Sequence, residues 1–470
     1  MENWDLARKW SGPEVQNFTS PCAEFKRAVS EALLISSASE SYAALKSLQR
    51  GDTPAVENGR VMLILGAIDD FFEIVHPRTL NRSRLFDPLP LTHWLRKVVL
   101  DRLDNGAFIS TATHQLVPRG PLIRYPRGEF ASSAYSLADQ FAFLTVVRTE
   151  LSIEDRPIRV SAIVKDRSLS QGIGLAPSSN GSEKIAFIPI AQLDEHLQIN
   201  RFEVNGHAYV DFKLSDDVDA AAVMNSVLGD IGYADIVMSA ELMVDEGAAD
   251  RLSPLISAIP GRTRILLAGS GNTSDTRDGL PWNEARIFNG SGVELWRQRK
   301  IWQAGLDSSR SEDLGLVPGH NGRLMEHNHA GEEIVVADVD GFGRCVVLIC
   351  QDIQSNPLAS ELIRLYQPDW VFVPILDWGT GLKRWAHQRV FELSAISPAR
   401  FLIASSLSMV KKLKREDQPC GLAIGPKDST DEDQGRECAT AYAETSPHGY
   451  GIVEWRTGWG KSSLVFEPKK

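Results

Sequence analysis

The chain has 470 residues, of which 43% are hydrophobic and 24% charged, and a formal net charge of −11. The composition is that of a globular protein, and the length exceeds what one ordinary core fills, so two domains are expected. The acidic balance argues against a nucleic-acid partner, because phosphate backbones are met by a basic face.

The opening, MENWDLARKWSGPEV, lacks the apolar stretch of a secretory signal, and no apolar run approaches the roughly 18 residues that span a bilayer. The five cysteines, at 22, 345, 350, 420 and 438, are odd in number and have no CxxC spacing. That usage fits a reducing compartment better than a disulfide framework, so a cytoplasmic protein is expected.

Residues 22–49, 59–76 and 90–104 carry helical periodicity. In LTHWLRKVVLDRL, the residues Leu91, Trp94, Leu95, Val98, Val99 and Leu103 fall on one stripe. The period then drops to two. FAFLTVV (141–147), IRVSAIV (158–164) and EKIAFIPI (183–190) read as short strands between polar breaks such as LAPSSNGS. A boundary is expected near residue 200. It would separate residues 1–200, a mixed helical and β region of unknown function, from a second domain over 201–470. No catalytic constellation is visible in residues 1–200, which are a candidate for binding an unknown protein partner.

From 201 onward strands and helices alternate. RFEV-NG-HAYVDFKL reads as a hairpin turning at Asn205-Gly206. SDDVDAAAVMNSVLGDIG reads as a helix, ADIVMSAEL as a strand ending at Glu241, and residues 247–259 as another helix. RTRILLAGS is a strand, and ARIFNGSGVELWRQRK is a hairpin closed by Lys300. EEIVVADVDGFGRCVVLIC is a strand pair ending at Cys350, followed by the amphipathic helix PLASELIRLYQ and the strand DWVFVPIL. The expected fold is α/β, with strands in two packed sheets and helices outside. The one clear basic run, KKLKRE at 411–416, reads as a solvated loop.

Glu241, Lys300 and Cys350 all stand where strands stop, the place where α/β folds gather reactive side chains. Alone, each has a bland explanation: free cysteine is commonly core filler, and a single glutamate or lysine is ordinarily a surface residue. Together they form a chemistry. A thiol attacks well only as thiolate and needs a base, which a buried carboxylate supplies; an ammonium beside the acyl carbon stabilises an oxyanion.

Three blocks carry a resemblance: ADIVMSAEL, PWNEARIFNGSGVELWRQRKIW and GRCVVLICQDIQSNPLASELIRLYQPDWVFVPILDW. Over about residues 205–410 the chain resembles the nitrilase (carbon–nitrogen hydrolase) superfamily, and WAHQRVFELSAISPARFLIASS is similar to that family's following helix and strand. The resemblance implies a four-layer αββα sandwich and a cysteine hydrolase in which Glu241, Lys300 and Cys350 are catalytic. It implies supporting roles for Asn283, for the backbone N–H of Gln351, and for a second glutamate, matched by Glu326 with Glu332 and Glu333 as competitors. Trp378 would line the substrate pocket. Asp352 suits a turn-holding role through side-chain-to-backbone hydrogen bonds.

A small-molecule amide substrate, no metal, no organic cofactor and a homo-oligomer follow from the same resemblance. The family's protomers pair through helices that correspond here to PLASELIRLYQ and KRWAHQRVFELSAIS. GHNGRLMEHNHAGEEI places His320, His327 and His329 around Glu326, but HNH offers two close ligands without a supporting Cys or Asp pair. The sequence departs from the family at Ala240, where proline is usual, and at Ser405, where the family's Ala-Asn is replaced; substrate class is therefore not carried over. Two other readings remain open: a binding or signalling module on this scaffold, such as a bacterial defence accessory, and an N-acyltransferase that passes the thioester to an amine.

Overall fold

The computed structural model describes residues 4, 7, 21–76, 91–120, 141–165, 182–204, 206–317, 322–415, 418–426, 436–443, 448–458 and 461–466. Asn205, His320 and the LAPSSNGS break (except Ser182) lie outside them.

Two large sheets hold most of the strands. The seven-stranded sheet runs in the order Glu294–Arg299, Leu280–Asn289, Thr263–Arg277, Ala234–Ser239, Lys184–Ile188, Gly451–Gly458, Lys461–Phe466. The eight-stranded sheet runs Arg436–Ala441, Gly421–Pro426, Arg400–Ser405, Trp370–Ile375, Gly343–Val347, Glu333–Val339, Arg156–Lys165, Glu150–Ile153. The middle of the seven-stranded sheet is parallel and its pairing turns antiparallel toward both edges; the eight-stranded sheet is mixed, with Gly343–Val347 antiparallel to Glu333–Val339 between parallel pairs.

The two-residue period of the strands decides which side chains meet. In Ala234–Ser239, Ile236 and Met238 join Phe372, Leu402 and Cys345 in an apolar layer shared by the two sheets. Val237, on the other face, packs with Met224, Val227 and Leu252 from the helices Ala220–Ile231 and Glu246–Ala258. On the eight-stranded sheet, Val346, Val371 and Ile403 face Leu362, Ile363 and Val390 from the helices Leu358–Tyr366 and Trp385–Ser394. These strands are apolar on both faces because both faces are covered.

The boundary expected at residue 200 is crossed by both sheets. Arg156–Lys165 lies parallel to Glu333–Val339, from Arg159 opposite Glu333 to Lys165 opposite Val339, and Lys184–Ile188 lies between Ala234–Ser239 and Gly451–Gly458. IRVSAIV and EKIAFIPI are therefore parts of the sheets that also carry the C-terminal strands. The physical reason is burial: Ile158, Val160, Ile185 and Phe187 are fully buried in clusters that draw on strands and helices from later in the chain.

Among the described residues up to 105 the chain is helical, as its periodicity predicts, with helices at Ala23–Leu33, Ala38–Gln49, Pro54–Phe71 and His93–Asn105; Ile109–Ser110 and His114–Pro118 then form a small sheet with Leu144–Arg148. The last of these helices ends at Gly106, which has φ +76° and sits so close to Ala162 that a Cβ would lie 2.3 Å from its carbonyl oxygen. Only glycine fits both the left-handed cap and that approach. Arg102 of the same helix donates to Asp338 on the eight-stranded sheet at 2.7 Å.

The hairpin His207–Leu214 with Leu197–Val204 joins neither large sheet. It forms a four-stranded sheet with Gly305–Asp307 and Arg323–Glu326, placing Glu326 opposite Val210. Among the described residues no helix is long and apolar enough to cross a membrane.

Candidate active site

The three residues that end strands in the sequence come together. Glu241 follows the strand Ala234–Ser239, and its backbone N–H donates to the Ile375 carbonyl at 3.3 Å. The chain turns sharply there: Leu242 has φ +59°, and Gly269, at φ +85°, would place a Cβ 2.3 Å from the Ala240 carbonyl oxygen. Lys300 directly follows the strand Glu294–Arg299, and its N–H donates to the Asn283 carbonyl at 2.8 Å. Cys350 opens a short 3₁₀ turn, Cys350–Gln354, after Gly343–Val347, and has φ +48°. A non-glycine residue in that region is strained, and such strain is typically held at functional turns by the surrounding structure.

Asp352 is what holds the turn. Its carboxylate accepts from the N–H of Ile349 at 3.1 Å, two residues upstream of Gln351, and from the N–H groups of Ile301 at 3.1 Å and Trp302 at 2.7 Å. The side-chain-to-backbone role expected from sequence is present, and it extends to the segment after Lys300. One carboxylate thus locks the backbones on either side of the cluster. Burial pushes Asp352 up to about 7, against the pull of Lys300 and of these N–H donors.

Lys300 Nζ donates to Glu241 Oε1 at 2.7 Å and to Glu326 Oε2. Asn283 Nδ2 bridges the same two carboxylates, at 3.0 Å to Glu241 Oε1 and 3.2 Å to Glu326 Oε1. Glu241 Oε2 takes the Leu376 N–H at 2.9 Å, and Glu326 Oε2 takes the Ala304 N–H at 3.1 Å. The Cys350 thiol and the Glu241 carboxylate act on each other electrostatically. Glu241, Lys300, Glu326, Asn283 and Asp352 are all buried, whereas Cys350 and Gln351 are half-buried.

Burial sets the proton positions, and the charges then correct them. Burial raises Glu241 above the usual carboxylate value; Lys300 opposes the shift and Glu326 reinforces it. Burial alone would lower Lys300, but Glu241 and Glu326 outweigh it and hold the ammonium well above its usual value. Burial, followed by the Glu241 charge, pushes the Cys350 thiol well above its usual value. The cluster therefore has a permanent cation, a carboxylate suited to take a proton, and a neutral thiol beside it.

The competing glutamates separate cleanly. Glu332 pairs with Arg277 at 2.9 Å and Glu333 with Arg159, both away from Lys300. His327 packs its ring on Phe202 at 4.1 Å, and His329 lies against Trp282 at 5.7 Å with Nδ1 2.9 Å from the Ala330 carbonyl. Among the described residues no three His, Cys, Asp or Glu side chains are grouped as metal ligands. Trp378 is half-buried, with Arg384 stacked 4.1 Å from its ring centre and Arg415 at 5.0 Å.

Sequence reasoning missed the Leu376 N–H and a pair beside it. Asp377 is buried and meets Arg310 at 2.6 Å. ILDW was visible as the end of a strand, but nothing local announces that Arg310, from the helix Ser308–Asp313, reaches it.

No family model matches the chain, and no curated protein matches it by sequence. Among solved structures it is similar to Nit3 of Saccharomyces cerevisiae, described as a member of branch 10 of the nitrilase superfamily, at 14% identity, 62% of this chain, 92% of that one and a TM-score of 0.33. It is similar to an amidase from Nesterenkonia sp. at 14% identity, 62% of this chain, 93% of that one and a TM-score of 0.34. The NitFhit protein of C. elegans matches at 14% identity over 62% of this chain and 61% of that one, with a TM-score of 0.33. Over 62% of its length, the chain is thus similar in structure to members of the nitrilase superfamily.

Proposed function

We propose that the protein is a carbon–nitrogen hydrolase that cleaves a small, non-peptide amide through a thioester on Cys350. The observation that carries this reading is the sealed Glu241–Lys300 pair, held by Glu326 and Asn283.

Each step follows from the groups present. As the sulfur attacks the amide carbon, its proton passes to Glu241, whose affinity for a proton is raised by burial. The negative charge moves to the former carbonyl oxygen. Lys300 has three N–H donors, two of them committed to Glu241 and Glu326, and the third serves this oxyanion together with the Gln351 N–H. Lys300 stays charged throughout, so it is not the proton carrier. Glu241 returns its proton to the departing nitrogen, the C–N bond breaks, and a thioester and an amine remain. Glu241 then takes a proton from water, the hydroxide adds to the thioester, and the thiol reforms as the acid leaves.

Glu326 and Asn283 position Glu241 and Lys300 in this scheme, and Asp352 keeps Cys350 at the turn. The two sheets with their covering helices read as a four-layer αββα sandwich, and Trp378 as a wall of the pocket. A homo-oligomer belongs to the same proposal. Of the two helices it would use, Leu358–Tyr366 is already packed under the chain's own strand Leu144–Arg148, where Tyr366 donates to the Arg148 carbonyl at 2.7 Å. Light scattering tests it, and a mass of 51.9 kDa counts against it.

Incubation with a panel of short amides tests the chemistry. Ammonia release and an acyl adduct on Cys350 by mass spectrometry are expected. Turnover that survives Cys350→Ala sinks the reading.

A further inference from the structure

Arg310 lies on the short helix Ser308–Asp313, just after the strand Gly305–Asp307 that pairs with the Glu326 strand. Its Nη2 is 2.6 Å from Asp377 Oδ2. Asp377 follows Leu376, whose N–H holds Glu241, so the guanidinium is moored one residue from a contact of the candidate base. The two partners differ in access: the Arg310 side chain is 41% exposed and that of Asp377 6%. The Leu376–Glu241 contact thus ties the Arg310–Asp377 pair to the Glu241 side of the cluster.

Asp377 has no oxygen to spare for a ligand. Oδ1 takes the Trp378 N–H at 2.7 Å, and Oδ2 takes Trp385 Nε1 at 2.9 Å as well as Arg310. Arg310 is different, because a guanidinium has five N–H donors in a fork that matches a carboxylate. Around it the sign of charge is unusual for this chain. Arg384 and Arg415 stack on Trp378, the residue after Asp377, and Arg415 belongs to the basic run KKLKRE. In a protein of net charge −11, arginines gathered around Asp377 and Trp378 concentrate anions where the rest of the surface repels them.

We propose that the substrate is an anionic amide, carrying a carboxylate near the reacting carbon, and that Arg310 is the specificity-determining residue that receives this group. The proposal rests on the hydrolase reading for the word amide, but the anion site can be read without turnover. The bland explanation is that Arg310 only fixes Asp377 and the Trp378 loop.

The test compares alkylation of Cys350 by iodoacetate and iodoacetamide, which differ in one charge. In both, an S–C bond forms, iodide leaves and the thiol proton is lost. Mass spectrometry gives the rate ratio at Cys350 and at exposed Cys22 in the same molecules, which serves as the reference. A ratio about tenfold higher at Cys350 is expected, since one well-placed charge contact is worth roughly that factor. It should shrink with added salt, fall several-fold in Arg310→Met and persist largely in Arg310→Lys. Lys300 favours iodoacetate in every variant, so the drop in R310M isolates the share of Arg310. A Cys350 ratio no higher than that of Cys22, or one that R310M leaves unchanged, overturns the proposal. Absence of amide turnover with a high, Arg310-dependent ratio would instead sink the hydrolase reading and leave the anion site standing.

Discussion

The Lys300 ammonium lies 2.7 Å from Glu241 Oε1, and both side chains are almost wholly sealed from solvent, at 1% and 3% exposure. A buried pair of this kind is weak evidence for stability, because desolvation offsets much of the attraction. Its presence is better explained by what it does to protons. Glu326 adds a second carboxylate to the same ammonium, so two negative charges share one positive charge beside a thiol. The cluster therefore carries a spare negative charge, and the cheapest way to relieve it is to place a proton on Glu241.

That arrangement sets the pH dependence. Glu241 must be ionised to accept the Cys350 proton, and burial raises its pKa above the usual 4.5. Activity should fall as pH drops through this raised value, so the acid limb of kcat/KM lies above that of an ordinary glutamate. Glu326→Gln removes one of the charges that raise Glu241 and leaves Lys300 to a single carboxylate. The limb is expected to move to lower pH, and a shift upward would show that Glu326 does not act through Glu241.

Cys345, on the strand Gly343–Val347, and Cys350, in the turn after it, separate chemistry from packing. Cys350→Ala should abolish turnover with little change in melting. Cys345 is fully buried in the layer between the sheets, among Phe372, Leu402 and Met238. Cys345→Ala should cost about 1 kcal/mol through a small cavity and keep kcat/KM within about twofold. Loss of activity in both variants at equal stability would move the chemistry off Cys350.

The sites of Glu241, Lys300 and Cys350 were legible because each closes an apolar strand, a local pattern. The choice among Glu326, Glu332 and Glu333 was not, since all three lie within one stretch of alternating polarity and only the strand pairing with Val210 selects Glu326. The same limit explains the misplaced boundary. The alternation in IRVSAIV identifies a strand, but its partner, Glu333–Val339, is set by which apolar face needs covering, and that is a property of the assembled sheets. Arg310 was invisible for a related reason: it reaches Asp377 through tertiary placement, with no spacing rule to betray it.

Asp352→Asn tests the clamp under the reactive turn. Both Asp352 oxygens accept from backbone N–H groups, with Ile301 and Trp302 on Oδ1 and Ile349 on Oδ2. An amide replaces one acceptor by a donor that faces another donor. A loss of about 2–3 kcal/mol is expected from denaturant unfolding. Because the same bonds hold Cys350 and the segment after Lys300, kcat should fall well beyond what the lost stability explains. Full activity in a destabilised D352N would reduce Asp352 to a structural residue.

The last prediction concerns how the N-terminal helices are joined to the sheets. Arg102, on the helix His93–Asn105, donates to Asp338 at 2.7 Å, and Arg344 holds the same carboxylate at 2.9 Å. Both arginines are buried, and together they overcome the burial that would otherwise raise Asp338, leaving its pKa lowered. Arg102→Met leaves Asp338 paired with Arg344, so the penalty is smaller than for an orphaned buried charge, about 1–3 kcal/mol. The loss falls on one joint, the helix against the strand Glu333–Val339. If that joint makes helix and sheets melt as one cooperative unit, the parent shows a single calorimetric transition and R102M shows an earlier one for the helical segment. Turnover should be unchanged at temperatures below that first transition, since Arg102 is bonded to none of the residues around Cys350. A single transition in both proteins would mean that the buried ion pair adds nothing to the cooperativity of this joint.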